Sequence, residues 1–226
     1  MQKHIRGKDQ KGIDFGPSEP FYPVEQRAAD DGRNADFELE SPLFYETAAK
    51  GASFIDARYT AKDHELIESL PARNSTLHMI GTGRTSGWHL LEHLQQLAAR
   101  PIRALWISTL SMSLANVEAL AAALDSGRIR RCSLVASCYF KSTNDEIWHR
   151  VYSELTARDQ PVAGIRSHAK VSVLQFTARR WFVIETSANL RSSGNLEQYT
   201  ITHSEQLGRF HAGWIDDAIR EARRFQ

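Results

Sequence analysis

Cysteine is scarce in this chain, at two in 226 residues, and no apolar run exceeds the six residues from Ala119 to Leu124. A membrane-spanning helix needs about 18 consecutive apolar residues, so none is expected. Cys132 and Cys138 fall in one strand-like stretch, about 20 Å apart at about 3.3 Å per residue, too far to bridge. With no second cysteine cluster there is neither a disulfide framework nor a cysteine-built zinc site. The first residues are polar and lack the apolar core of a secretory signal. No repeat of fixed period and no low-complexity tract is present. These shortages exclude transmembrane, disulfide-rich secreted and collagen-like classes, and a reduced, cytoplasmic protein without membrane contact is expected.

What remains is an ordinary globular composition, 42% hydrophobic and 24% charged, enough for one full core. The formal charge of +1 conceals an asymmetry. Residues 1–127 carry 13 Lys/Arg against 17 Asp/Glu, and residues 128–226 carry 15 against 10. A basic half can face a polyanion such as nucleic acid, although solvated arginine-rich faces also arise without a partner.

Residues 1–36 show neither a strand nor a helix period and are punctuated by Gly16, Pro17, Pro20 and Pro23. They read as a flexible or extended N-terminal arm, basic over its first dozen residues. A single domain is expected over 37–226. Residues 41–70 suggest one or two helices around a short strand. Beyond that, strands are expected at 77–81, 102–108, 130–137, 168–176, 180–187 and 197–203. Helices are expected from Trp88 to Pro101, around Leu114–Leu124 with Gly127 closing, around Ile147–Leu155 with Thr143 or Asn144 as cap, and from Leu207 to Ala222. The order β-α-β-α-β-α-β-β-β-α indicates a mixed α/β (α+β) fold, a mixed-direction sheet flanked by helices.

Two short patterns carry weak chemical signals. His89-Leu90-Leu91-Glu92-His93 matches the H-x-x-E-H of inverted zinc peptidases, but the same helix is explained as an amphipathic core helix. Gly81-Thr82-Gly83-Arg84-Thr85-Ser86-Gly87 joins a strand to a helix, where anions bind, yet its glycine spacing fits no phosphate loop. A turn with an N-cap is the better reading.

A third constellation is more specific. His168 and Lys170, Ser187 and Asn189, and Asn195 and Glu197 are three polar pairs spaced by two. Residues i and i+2 of a strand share a face, so pairs on consecutive strands can converge on one small anion. His168-Ala169-Lys170, then Thr186-Ser187-Ala188-Asn189-Leu190, then Asn195-Leu196-Glu197 resemble the motif region of the phospholipase D superfamily, here spanning 165–203. That family carries H-x-K-x4-D, a G-S-x-N segment and a downstream Glu. One H-x-K motif resembles its small bacterial endonucleases, which build one site from two chains. Gln175 stands at the signature Asp position and Thr186 at the Gly position. An odd separation from His168 turns residue 175 to the opposite face of a regular strand.

The resemblance implies a phospholipase-D-like sheet and metal-independent phosphodiester chemistry that needs no cofactor. His168 would be the nucleophile, forming a phosphohistidine. Lys170 would neutralise the phosphate, Ser187 and Asn189 would donate to its oxygens, and Glu197 would hold the second ring nitrogen of His168. A leaving alkoxide needs a proton from a second acid. A homodimer supplies it from the partner's copy of the same histidine, and His203 is the in-chain alternative. The expected substrate is nucleic acid, DNA ahead of RNA. The alternatives are a degenerate module that grips nucleic acid without cutting it and a phospholipid-acting enzyme.

Overall fold

The computed structural model describes residues 52–56, 66–81, 86–191 and 195–224, all within one unit, Gly32–Gln226. The 1–36 arm, most of the 41–70 region and residues 82–85 of the glycine-rich loop lie outside the described residues.

Eight strands form one sheet in the order β1-β2-β8-β7-β6-β3-β4-β5. They are β1 (Ala52–Asp56), β2 (Thr76–Gly81), β3 (Ala104–Thr109), β4 (Cys132–Ser137), β5 (Val162–Ile165), β6 (Val171–Thr177), β7 (Arg180–Thr186) and β8 (Glu197–His203). The pairs β1–β2, β3–β4 and β4–β5 run parallel, and the central pairs run antiparallel. The helices are α1 (Gly87–Ala98), α2 (Leu114–Asp125), α3 (Cys138–Thr143), α4 (Asp145–Thr156) and α5 (Glu205–Arg224). The mixed α/β architecture is therefore as the sequence pattern indicates.

Strand alternation sends side chains into two separate cores. Leu105, Ile107, Leu174, Phe182, Ile184, Tyr199 and Ile201 pack with Trp88, Leu91 and Leu94 of α1, Val117 and Leu120 of α2, and Trp148 of α4. Trp106, Val171, Val173, Trp181 and Val183 pack on the other face against Leu207, Ile215 and Ile219 of α5. Helix α5 meets the sheet at Gly208, where an added Cβ would lie 2.7 Å from the Trp181 ring, itself stacked on Trp106 at 5.5 Å. Trp106 Nε1 donates to Asp216 of the same helix at 3.0 Å. Gly208→Val should therefore lower stability by about 2 kcal/mol through overpacking, read as a lower urea midpoint with an unchanged slope.

The structure revises several boundaries. Val162–Ile165 forms β5, a strand absent from the expected order. It is four residues long, and Gly164 interrupts its apolar pattern so that the Trp148 ring can approach to 3.4 Å of a would-be Cβ. Cys138 opens α3 instead of continuing the strand of Cys132, because Ser137 caps that helix by accepting from Tyr139 N–H at 3.2 Å. Both cysteines are free, and burial pushes the Cys132 thiol up to about 12. Asn144 occupies the N-cap position of α4 without a side-chain cap bond. Strand β6 begins at Val171, so His168 and Lys170 precede it. No helix among the described residues is long and apolar enough to cross a membrane.

Candidate active site

The parallel strands end along one edge of the sheet, and the antiparallel partners bring further chain ends to that edge. Val171 at the start of β6 pairs with Ser108 of β3 and Glu185 of β7, while Glu197 at the start of β8 pairs with Gly81 at the end of β2. Helix α1 starts at this edge, with Gly87 N–H reaching Asn189 O at 3.4 Å, and α2 starts there as well, with Ser113 N–H reaching Leu190 O at 3.3 Å.

In sheet order, β4 and β3 lie between β5 and β6. Residues 166–170 cross their ends, about 14 Å at three strand spacings. Ser108 Oγ donates to Ala169 O at 2.9 Å and pins this crossing to β3, and Thr186 N–H donates to Lys170 O at 3.2 Å as the β6–β7 ladder begins. His168 is thus carried on the crossing segment, exposed, with Lys170 Nζ 3.2 Å from its Nδ1. Lys170 is half-buried. Its burial lowers the ammonium pKa from the ordinary value, and the Glu197 carboxylate opposes that shift.

On the neighbouring strands, Ser187 Oγ accepts from Gln198 N–H at 3.0 Å and donates to Glu197 Oε2 at 2.5 Å. Asn189 follows on the same segment. It is half-buried, and its Oδ1 is buried without a hydrogen-bond partner. The edge therefore gathers an imidazole, an ammonium, a hydroxyl, a carboxamide and a carboxylate. Such a set can hold a phosphate and attack it.

One expected contact differs. Glu197 was assigned to the ring of His168, whereas here it bonds Ser187 and Lys170 faces Nδ1. Ser187 sits at the end of β7, which pairs with β8, so its hydroxyl is the near neighbour of a carboxylate at the start of β8.

Gln175 lies on the α5 face, paired with Ala104 and Trp181, about 17 Å along β6 from Lys170. The residue at the signature Asp position therefore does not belong to this edge. Asn195 is exposed just before β8. His203 is not available as the in-chain acid. It ends β8 at the opposite edge, about 20 Å from Glu197. There it bonds Pro71 O through Nδ1 at 3.0 Å and stacks on Phe182. Burial lowers its pKa against the pull of Pro71, and Arg180 and Arg73 push the same way.

The H-x-x-E-H residues of α1 are engaged separately. His89 Nδ1 accepts from Ser86 N–H at 3.4 Å while Ser86 Oγ accepts from His89 N–H at 3.3 Å, closing a capping box. His93 Nε2 donates to Ile67 O at 2.8 Å, and Glu92 faces Arg128 at 3.6 Å. Ser86, last of the described loop residues, is thus the N-cap that the turn reading required.

Supporting residues escaped the sequence reading. Thr186 Oγ1 accepts from Ala188 N–H at 2.8 Å and donates to Gln198 O at 2.7 Å, fixing the bend that presents Ser187 and Asn189. Asn116 Nδ2 donates to Leu190 O at 2.6 Å from inside α2. Thr186 was visible only as a departure from the Gly of the family motif. Nothing in the sequence tied Asn116 or Ser108 to the site.

No family model matches the sequence, and no curated protein matches it. The solved structures similar to the chain include the following two. One is a polyphosphate kinase from Porphyromonas gingivalis, at 14% identity and a TM-score of 0.46, covering 66% of this chain and 29% of that one. The other is Nuc from Salmonella typhimurium, a phospholipase D family member, at 11% identity and a TM-score of 0.44, covering 63% of this chain and 92% of that one. This chain thus spans less than a third of the kinase's length.

Proposed function

We propose that the protein is a metal-independent phosphodiesterase that cleaves nucleic acid through a phosphohistidine on His168. The observation that carries this reading is the pairing of His168 with Lys170 at 3.2 Å on the edge that also holds Ser187, Asn189 and Glu197. The H-x-K, S-x-N and downstream Glu motifs of the phospholipase D superfamily support it.

When a diester enters, Lys170 turns from Nδ1 to a non-bridging oxygen, and Ser187 and the Asn189 NH2 donate to the others. Glu197, released by Ser187, takes the N–H of one ring nitrogen so that the other presents its lone pair. That lone pair attacks phosphorus, the P–N bond forms, and the P–O bond to the leaving group breaks. The alkoxide takes a proton from an imidazolium. Water then attacks the phosphohistidine, gives its proton to the same imidazole, and releases His168.

The proton-carrying imidazole is best supplied by the partner subunit's His168 across a twofold axis, where it arrives with its own lysine and glutamate. Most other described histidines are committed elsewhere. His203 lies at the far edge, His93 is bonded to Ile67, His149 faces Asp145, and His78 and His211 belong to the α5 side of the sheet. Among the other described histidines, His89 alone lies near this edge, with Nδ1 accepting from the Ser86 amide.

Hydrolysis of bis(p-nitrophenyl) phosphate in excess EDTA is the test. Nitrophenol release that survives chelation is expected, from a species that sediments as a dimer burying at least about 1,200 Å². Release abolished by EDTA would reject the mechanism. A strict monomer that cleaves DNA would reject the shared site and point to His89. The binding-only alternative predicts oligonucleotide affinity with no release at all.

A further inference from the structure

The strands turn their other ends to an edge about 20 Å from the catalytic one, and arginines line it. Ladder hydrogen bonds fix where each leaves the sheet. Arg73 precedes Asn74, whose N–H donates to His203 O at 2.9 Å at the end of β8. Arg179 and Arg180 close the β6–β7 turn, where Arg180 pairs with Thr177 and Arg179 N–H donates to Thr177 Oγ1 at 3.3 Å. Arg103 N–H donates to Gln175 O at 2.8 Å just before β3. Just before β4, Arg130 N–H donates to Ile102 O at 3.0 Å, and Arg131 O accepts from Leu105 N–H at 2.9 Å. From β2 to β4 the row crosses five strand spacings, about 24 Å.

Arg180 is half-buried, with its guanidinium 5.9 and 5.8 Å from the ring centres of Phe176 and Phe182. The other five are exposed, and none of them meets an acid in an ion pair among the described residues. Nearby acids are engaged by other arginines: Glu92 faces Arg128 at 3.6 Å, Asp125 faces Arg158 at 2.7 Å and Glu205 faces Arg209 at 2.9 Å. Exposed Glu68 and Asp159 lie in the segments leading into β2 and β5, at the two ends of the row.

A row of like charges with so little neutralisation is matched to an anionic partner. Nucleic acid offers one charge per about 3.4 Å along each strand, a comparable spacing. The rings at this edge, Phe176, Trp181 and Phe182, are buried, so it presents neither a base-stacking platform nor the apolar centre of a protein interface. We infer that the arginine edge opposite the catalytic edge is a second nucleic-acid contact, which grips the phosphate backbone of duplex DNA without reading its sequence. It takes its partner from the nuclease reading, where it would tether the enzyme, and needs none of the chemistry at His168.

The test combines Arg103→Ala, Arg130→Ala, Arg131→Ala and Arg179→Ala. Binding is read by polarisation of a labelled duplex of arbitrary sequence in EDTA, over about 50 to 200 mM salt. Both proteins carry His168→Ala so that the probe stays intact. The four changes should weaken binding about 10- to 1,000-fold and make the slope of log affinity against log salt shallower by about 3. Lysine at the same four positions should keep most of the slope. With His168 restored, the alanine variant should hydrolyse bis(p-nitrophenyl) phosphate as the wild type does, because so small a diester needs only the catalytic edge. An unchanged slope, or polyglutamate bound as tightly as DNA of equal charge, would overturn the inference. The two proposals fail separately. A lost slope with no hydrolysis by the wild type would remove the nuclease reading alone, and hydrolysis with an unchanged slope would remove the arginine edge alone.

Discussion

His168→Ala is expected to lower chelator-resistant diester hydrolysis by at least about 10³-fold, because it removes the proposed nucleophile. Oligonucleotide affinity should change by no more than about threefold, since the proposed phosphate ligands Lys170, Ser187 and Asn189 would remain. His168 is exposed, so stability should stay within about 0.5 kcal/mol of the wild type. Steady-state kinetics beside fluorescence polarisation separate these quantities. A parallel loss of binding would make His168 a phosphate ligand instead of a nucleophile.

Glu197→Gln should lower turnover by up to about 10⁴-fold, the loss seen when a carboxylate orienting a catalytic imidazole becomes an amide. Affinity should hardly move, because the amide oxygen of Gln can still accept from Ser187. A second readout follows from charge. The Glu197 carboxylate raises the Lys170 pKa against the lowering effect of burial. Removing it lowers that pKa further, so the alkaline limb of the pH–rate profile should move to lower pH. A purely structural role for Glu197 would instead reduce binding and turnover together and leave the limb in place.

Compact aromatic and β-branched runs made these strands legible. Strand β8 occupies 197–203 as expected and β7 ends one residue early, with Trp181–Ile184 buried throughout and Tyr199, Ile201 and Thr202 buried in β8. Strand β5 was missed because four residues with a glycine inside give too short a run. The site residues were named from i/i+2 spacing, yet His168 and Lys170 do not sit in a strand. They meet because the chain turns along the sheet edge, and the motif encodes that meeting without encoding its geometry. Gln175 is the converse case. Parity from His168 does not apply outside a strand, and it is distance along β6 that keeps Gln175, on the α5 face, away from Lys170. The Ser187–Glu197 bond was hidden because it depends on the β7–β8 register, which no local pattern specifies.

The central claim is that His168 carries the phosphoryl group between cleavage and hydrolysis. Wild-type protein mixed with a nitrophenyl phosphodiester in EDTA, quenched within the first turnovers without acid, should show the mass of one adduct, the phosphoryl group still carrying its remaining ester group. Fragmentation should place it on the peptide containing His168, and the adduct should decay at the rate of product release. Steady nitrophenol release with no adduct at any quench time, or an adduct on another residue, would contradict the account.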